Sequence, residues 1–335
     1  MDQIQVAFSV ILPVRNGGEY LKYCVNSILS QNYENYNLII LDNCSQDGSL
    51  EWLRSIQDNR IVIYTSDKSL SIEENWGRIV NTPKNEFITL IGHDDLLHPD
   101  FLKEMNLLID KHPTASLYQS HFNYIDSKGN LIRRCQQMSE TIFAHEFILH
   151  QLCNTIDSTG TGYVFRSKDY DQLNGMPISY PNLIYADFQL WVQLMLLGYL
   201  AISEKVLFSY RAHSSVSSLT SGESYFLAFE KYIDFLIVEA NCNEEIKSVL
   251  SKYGSSFLMY CCESLSHRLL KTKYQNRNLK VSELINRFIG YAEKMIPGQS
   301  FNPRKKFGIL LAEKIDDYSV LRNLFMIVKS KKSLK

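Results

Sequence analysis

Apolar residues fill positions 6–14 almost without interruption until Pro13 and the Asn16-Gly17-Gly18 turn, the pattern of a strand buried on both faces of a parallel sheet. Helical spacing follows over 19–30, at Leu21, Val25, Ile28 and Leu29. A second buried strand over 36–41 stops at Asp42-Asn43-Cys44-Ser45, and a helix over 49–56 leads to a third strand over 60–64. After a helix near 73–80, a strand over 86–91 ends in Gly92-His93-Asp94-Asp95. Such alternation predicts a doubly wound α/β unit, whose ligands sit outside the carboxyl ends of its strands.

Further on, Pro99 and Asp100 are expected to open a helix that runs to Lys111. Two strands over 115–132 are joined by a Ser127-Lys128-Gly129-Asn130 turn. Residues 141–152 read as helix and 160–166 as a short strand. A helix over 186–197 is expected to close on Gly198 as a left-handed cap. A strand over 207–211 then enters the Ser-rich segment 213–224, where a boundary is placed. From Tyr225 onward the period is helical, with breaks at 241–243, 273–278 and 297–303. The division this implies is 1–98, 99–220 and a basic helical region 221–335.

Charge changes the picture of that last region. The net charge of the 335 residues is −1, yet residues 268–335 hold 16 Lys/Arg against 5 Asp/Glu, leaving 19 against 31 in the rest. A basic end on an acidic body can meet nucleic acid, an anionic bilayer or its own body. Because the charges alternate with apolar helical stretches such as Phe307 to Leu311 and Leu321 to Val328, a membrane surface is favoured over nucleic acid, with an ordinary solvated bundle as the alternative. Seven scattered cysteines without paired metal-type spacing read as reduced thiols. No basic n-region and no run of about 18 apolar residues is present, so a cytoplasmic protein, peripheral on the membrane's inner face, is expected.

Among polar clusters, Asp94-Asp95 is the sharpest. Adjacent carboxylates at a strand end are costly unless a cation stands beside them, and a hard divalent ion bridging phosphates is the usual partner; a pair of helix-capping acids is the alternative. Asp42 places a carboxylate at a second strand end, where it can accept hydrogen bonds from a base or ribose or merely close an Asx turn. Arg15-Asn16-Gly17 stands at the end of the first strand, on the same side of the sheet.

In that order, Phe8 to Asn16, Ser27 to Gln31, Leu41 to Ser49, Glu74-Asn75-Trp76, Gly92 to Leu97, Ala186-Asp187 and Tyr210-Arg211-Ala212-His213 resemble the GT-A family 2 glycosyltransferases over about two thirds of the chain. The resemblance implies a Rossmann-like mixed sheet flanked by helices, with a C-terminal helical extension. It further implies an inverting transfer of sugar from a nucleotide-sugar, a UDP-sugar in the first instance, to a saccharide acceptor. A lipid-diphosphate-linked acceptor for bacterial surface polysaccharide, O-antigen or capsule, would suit the basic tail. By resemblance, Pro13, Val14, Arg15, Asn16, Asp42, Asn75, His93, Asp94 and Arg211 hold the nucleotide-sugar, and Asp187 is the catalytic base. Mg2+ or Mn2+ would rest on Asp94, Asp95 and His213. Gly92 and Ala186 stand where the family pattern often has acids. An ordinary helix N-terminal Asp would look the same as Asp187.

Rival readings are weaker. A nicotinamide-binding dehydrogenase wants Gly-x-Gly-x-x-Gly after the first strand, which Arg15-Asn16-Gly17-Gly18-Glu19 does not supply, and the Arg-containing phosphate loop of a nucleotidylyltransferase is absent as well. A non-catalytic nucleotide-sugar-binding or scaffold protein of the same fold remains the alternative.

Overall fold

The computed structural model describes residues 5–212 and 220–332. The chain divides into two compact units, residues 1–147 with 154–215, and residues 148–153 with 216–335. Both sequence-predicted halves of the segment up to 212 lie in the first unit, except residues 148–153.

The first unit is built on a ten-stranded mixed sheet. Strand β1 (Phe8–Val14), buried at every position, lies between β2 (Tyr36–Asp42) and β4 (Phe87–Leu90), parallel to both, and β3 (Ile61–Tyr64) extends the parallel set beyond β2. Removing its four large aliphatic side chains and Phe8 from water stabilises the unit by about 1.5–3 kcal/mol per residue. Helices α1 (Gly18–Leu29), α2 (Ser49–Ser55) and α3 (Ile72–Gly77) make the crossovers. Gln31, buried after α1, donates to the His98 carbonyl and accepts from the Leu102 amide, so the end of α1 is tied to the segment that follows the acidic pair.

Beyond β4 the sheet changes direction. Next come β5 (Leu96–Leu97), α4 (Phe101–Lys111), the antiparallel pair β6 (Leu117–Ile125) and β7 (Leu131–Arg134), then β8 (Thr141–Ile142) and α5 (Ala144–Cys153). Strand β9 (Tyr163–Arg166) enters antiparallel between β4 and β6, and after α6 (Ser167–Gln172) and α7 (Ala186–Met195) the long β10 (Leu200–Arg211) pairs in parallel with β6. The fold class is therefore the predicted α/β mixed sheet flanked by helices.

Three local expectations are corrected. Strand β10 begins seven residues earlier than predicted, because its register shifts between Ser203 and Val206 put the charged pair Glu204-Lys205 on a bulge. Gly198 is not left-handed; a Cβ there would lie 2.7 Å from the Thr114 carbonyl oxygen, so close packing explains the glycine. Asp100 does not cap α4 through its side chain, but accepts from Asn32 instead.

The second unit is helical: α8 (Gly222–Cys242), α9 (Glu244–Leu270), α10 (Val281–Met295), α11 (Phe307–Asp317) and α12 (Ser319–Lys332). Phe226, Phe229 and Phe288 stack at its centre, the last two with ring centroids 5.1 Å apart. The breaks fall where the sequence placed them, with one more at Tyr318. Among the described residues no helix is long and apolar enough to cross a membrane, and all seven cysteines are free.

Candidate active site

The carboxyl ends of β1, β2 and β4 lie side by side, and the loops that leave them are zipped together by their own polar residues. Asn16, at a left-handed φ of 52°, receives the Gln46 amide on its Oδ1 and gives its own amide to Ser45 Oγ. Pro13 and Val14 are buried in the sheet, so Arg15 and Asn16 are the members of that segment with side chains exposed to a ligand.

Asp42 is fully buried at the end of β2. Its backbone carbonyl accepts from Arg78 at 3.0 Å, and Oδ2 receives the Ser45 amide at 3.3 Å. Its Oδ1 has no hydrogen-bond partner among the described residues. A buried carboxylate oxygen without a donor costs free energy unless a ligand supplies one. Asn75, assigned by resemblance to the nucleotide, is buried and committed: it donates to the Leu41 carbonyl and accepts from Arg78. Its place is to brace the end of β2 behind Asp42. Arg78, which the sequence reading passed over, holds four acceptors there, the Tyr64 and Thr65 carbonyls included.

Asp94 and Asp95 have opposite fates. Asp95 is buried, with Oδ1 receiving the Arg211 amide at 2.9 Å and Oδ2 the Thr161 hydroxyl at 2.7 Å. Burial, and then the adjacent Asp94 carboxylate, push it well above the ordinary carboxylate range. Both oxygens are thus spent on joining β10 and the 158–162 segment to the end of β4, which corrects the expectation that Asp95 reaches a cation. Asp94 and His93 are half-exposed. Gly92 explains how the turn closes: a Cβ there would come within 2.7 Å of Asp94 Oδ1 and 3.2 Å of Asp95 Oδ2.

Arg211, expected to face the diphosphate, is buried and engaged. Its Nε donates to the Asp94 carbonyl, its Nη1 to the Asp126 carbonyl, and its guanidinium lies 4.7 Å from the Tyr20 ring centroid. The correction is one of role: Arg211 fixes the backbone that presents Asp94. His213 lies outside the described residues.

Asp187 stands in the first turn of α7. Trp191, one turn on, stacks on Tyr163 at 4.4 Å and donates to the Thr159 carbonyl at 3.0 Å, which seats the helix against the 158–162 segment. Gly162, at φ +80°, sends its amide to the Leu90 carbonyl at the end of β4, and a Cβ there would strike the Phe208 ring at 2.8 Å. Asp187 Oδ2 consequently lies 3.3 Å from the position of a Cβ on Gly160. Burial raises its pKa from 3.8 to about 6, offset in part by the amides of Phe188 and Asp187 itself. Tyr210 links the two acidic places, for burial and then Asp95, Asp94 and Asp187 in turn push its phenol up to about 12. Sequence reasoning took Tyr210 only as part of a motif; its alternation on β10 was the available signal.

The donor set can be tested for a divalent ion. Among the described residues no three His, Cys, Asp or Glu side chains are grouped as a cage. With the Asp95 carboxylate buried and His213 outside the described residues, Asp94 is the half-exposed carboxylate of the assigned set, which fits an ion of the Mg2+ or Mn2+ kind that takes one or two carboxylates and draws its remaining ligands from phosphates and water.

Comparison with known proteins agrees with the fold. Residues 9–173 match the model of glycosyl transferase family 2. The chain is 31% identical over 126 residues to glycosyltransferase GlyG of Streptococcus pneumoniae serotype 4, a match covering 36% of this chain and 41% of that protein. It is 24% identical over 215 residues to an uncharacterized glycosyltransferase of Rickettsia conorii, covering 63% of this chain and 35% of the relative. The match thus spans less than half the length of either relative. Among solved structures, that of Staphylococcus aureus TarS 1-349 in complex with UDP-GlcNAc superposes with a TM-score of 0.64 at 13% identity, over 86% of this chain and 81% of that one. With the ordered motifs, the mixed sheet and these matches in hand, residues 9–173 are those of a glycosyl transferase family 2 domain, and the fold is that of the GT-A glycosyltransferases.

Proposed function

We propose that the chain is an inverting glycosyltransferase that moves a sugar from a UDP-sugar to a saccharide hydroxyl, with Asp187 as general base. The observation that carries this reading is the half-buried Asp187 carboxyl, beside Gly160, with its pKa raised to about 6. A base with a pKa near the working pH is ionised there yet still basic enough to take a proton. Asp187 removes the acceptor hydroxyl's proton as that oxygen attacks the anomeric carbon. The bond from that carbon to the phosphate oxygen breaks, UDP leaves, and the configuration inverts.

The donor's base would be read by Asp42, whose unpartnered Oδ1 suits the N3–H of uracil. Arg15 and Asn16 flank the ribose, and His93 lies beside the diphosphate. Asp94 would hold Mg2+ or Mn2+, which supplies charge neutralisation to the departing diphosphate. TarS, crystallised with UDP-GlcNAc, supports the choice of a uridine donor at the level of fold. The basic C-terminal region supports an acceptor carried on a lipid diphosphate at an anionic membrane surface, as surface polysaccharide synthesis would present it.

The test is a panel of radiolabelled nucleotide-sugars offered with divalent cation or with chelator, read as transfer to saccharide acceptors and as donor hydrolysis. Cation-dependent turnover of a UDP-sugar is expected. Donor binding with neither transfer nor hydrolysis in any combination would leave a non-catalytic binding protein.

A further inference from the structure

In the helical unit, a pocket of about 230 Å³ opens between the end of α9, the turn at 272–277 and α12. Three of its lining residues are cations, Lys273, Arg277 and Arg322, and no carboxylate lines it. Lys273 is exposed and makes no ion pair among the described residues. Arg322 gives Nη1 to the Asp316 carbonyl and lays its guanidinium 4.0 Å from the Tyr274 ring centroid, its other donors having no acceptor among the described residues. Arg277 is buried, bound to Asp316 through both Nη atoms, and its Nε–H has no acceptor among the described residues. The buried Asp316 carboxylate, which also accepts the Val281 amide, balances Arg277, so Lys273 and Arg322 are the cations that leave the pocket positive.

The helix that forms one wall has an unusual outer face. While Arg322, Asn323 and Phe325 of α12 line the pocket, Val320, Leu321, Leu324 and Ile327 point outward, with exposures of 68%, 39%, 54% and 52%. These four positions recur at the spacing of one helical stripe. An exposed apolar stripe beside basic residues is the design of a helix that lies in the headgroup layer of a bilayer.

We infer that this pocket takes the phosphate of an anionic lipid headgroup while the outer stripe of α12 rests among the acyl chains. Guanidinium and ammonium donors converging without a carboxylate suit a phosphate oxygen set. The volume decides the size of the guest, because sites for drug-sized ligands run to roughly 300–1,000 Å³ and this one is smaller. A single headgroup fits; a nucleotide-sugar does not. The inference deepens the membrane placement proposed above, and it fails separately from the proposed chemistry, since lipid binding requires neither donor nor acceptor.

The test is sedimentation of the full chain with phosphatidylcholine vesicles, with and without phosphatidylglycerol. Phosphatidylglycerol should be required for binding. Lys273→Gln and Arg322→Gln should each weaken it by more than about tenfold. Lys314→Gln, an exposed cation outside the pocket, should weaken it by about fivefold or less. Inorganic phosphate should compete with vesicles for the wild type and lose most of that effect in Lys273→Gln. Lys273 is exposed, so its replacement tests the pocket without threatening the fold. Equal losses for Lys273→Gln and Lys314→Gln would overturn the inference in favour of diffuse attraction. Calorimetric binding of inorganic phosphate with no preference for phosphatidylglycerol vesicles would overturn it in favour of a free-phosphate site.

Discussion

Asp42, fully withdrawn from water, and Asp187, half-buried, stand at the same edge of one sheet, and they are held in contrasting ways. Asp42 ends a regular parallel strand whose register with β1 runs unbroken from Tyr36 to Asp42, and Asn75 and Arg78 brace it from behind. Asp187 follows a segment in which Asn182, Leu183 and Tyr185 all adopt positive φ, and it is seated by the packing of Trp191. Positive φ at such side chains costs of order 1–3 kcal/mol each, sustained only where the surroundings over-determine it. On the proposed roles, the nucleotide carboxylate ends a regular strand, with positive φ confined to its loop neighbours Asn16 and Cys44, whereas the proposed base sits directly after a run of such residues that opposes stability.

The sharpest way to break the comparison is Asp187→Asn. Transfer should fall roughly 100- to 10,000-fold while UDP affinity, measured by calorimetry, stays within about twofold. The wild-type rate should rise with pH through about 6, where the carboxyl ionises, and the residual rate of the variant should show no such step. Asp42→Ala should do the reverse. It removes the acceptor for the base, weakening UDP binding by roughly tenfold to a hundredfold, and it should leave the pH step of the remaining rate in place.

Asp94→Ala should reduce cation-dependent UDP binding by about tenfold, to the level the wild type shows in chelator, and chelator should then make no further difference. Gly162→Ala tests the scaffold of the Asp187 side. Its φ of +80° and the Phe208 ring should make it cost about 2–3 kcal/mol by chemical denaturation.

The smallest effect has the most telling sign. Because the folded pKa of Asp187 lies above its unfolded value, the native state holds the proton more tightly, and stability is lost as pH rises from about 3.8 to about 6. Asp187→Asn should therefore raise the melting temperature above pH 6, and the gain should vanish below about pH 4. An equal gain at both pH values would show that the carboxyl is not strained by burial.

Much of the nucleotide side was legible in the chain. Nearly continuous apolar runs marked β1, β2 and β4, and each ended in the polar residues that the fold places at the sheet edge. The other side was harder because its pairings are not local. Strand β9 inserts antiparallel between β4 and β6, whose residues lie some forty to eighty positions earlier, and no periodicity within residues 163–166 announces that. Bulged β10 hid its first half for a similar reason, since Glu204 and Lys205 interrupt the alternation. Residue type also misled where burial decides role. Arg211 and Asp95 look like phosphate and metal ligands in a motif, but the Arg211 guanidinium donates to the Asp94 and Asp126 carbonyls, and the Asp95 carboxylate accepts from the Arg211 amide and the Thr161 hydroxyl.

Gly92 carries a last consequence. A side chain there would have to share room with the Asp94 carboxylate, so an acid placed at 92 would change where Asp94 points. Gly92→Asp forces Asp94 to swing aside and adds a third negative charge beside Asp95. The direction of the carboxylate proposed to hold the cation is thus tied to a residue two places before it that has no side chain of its own.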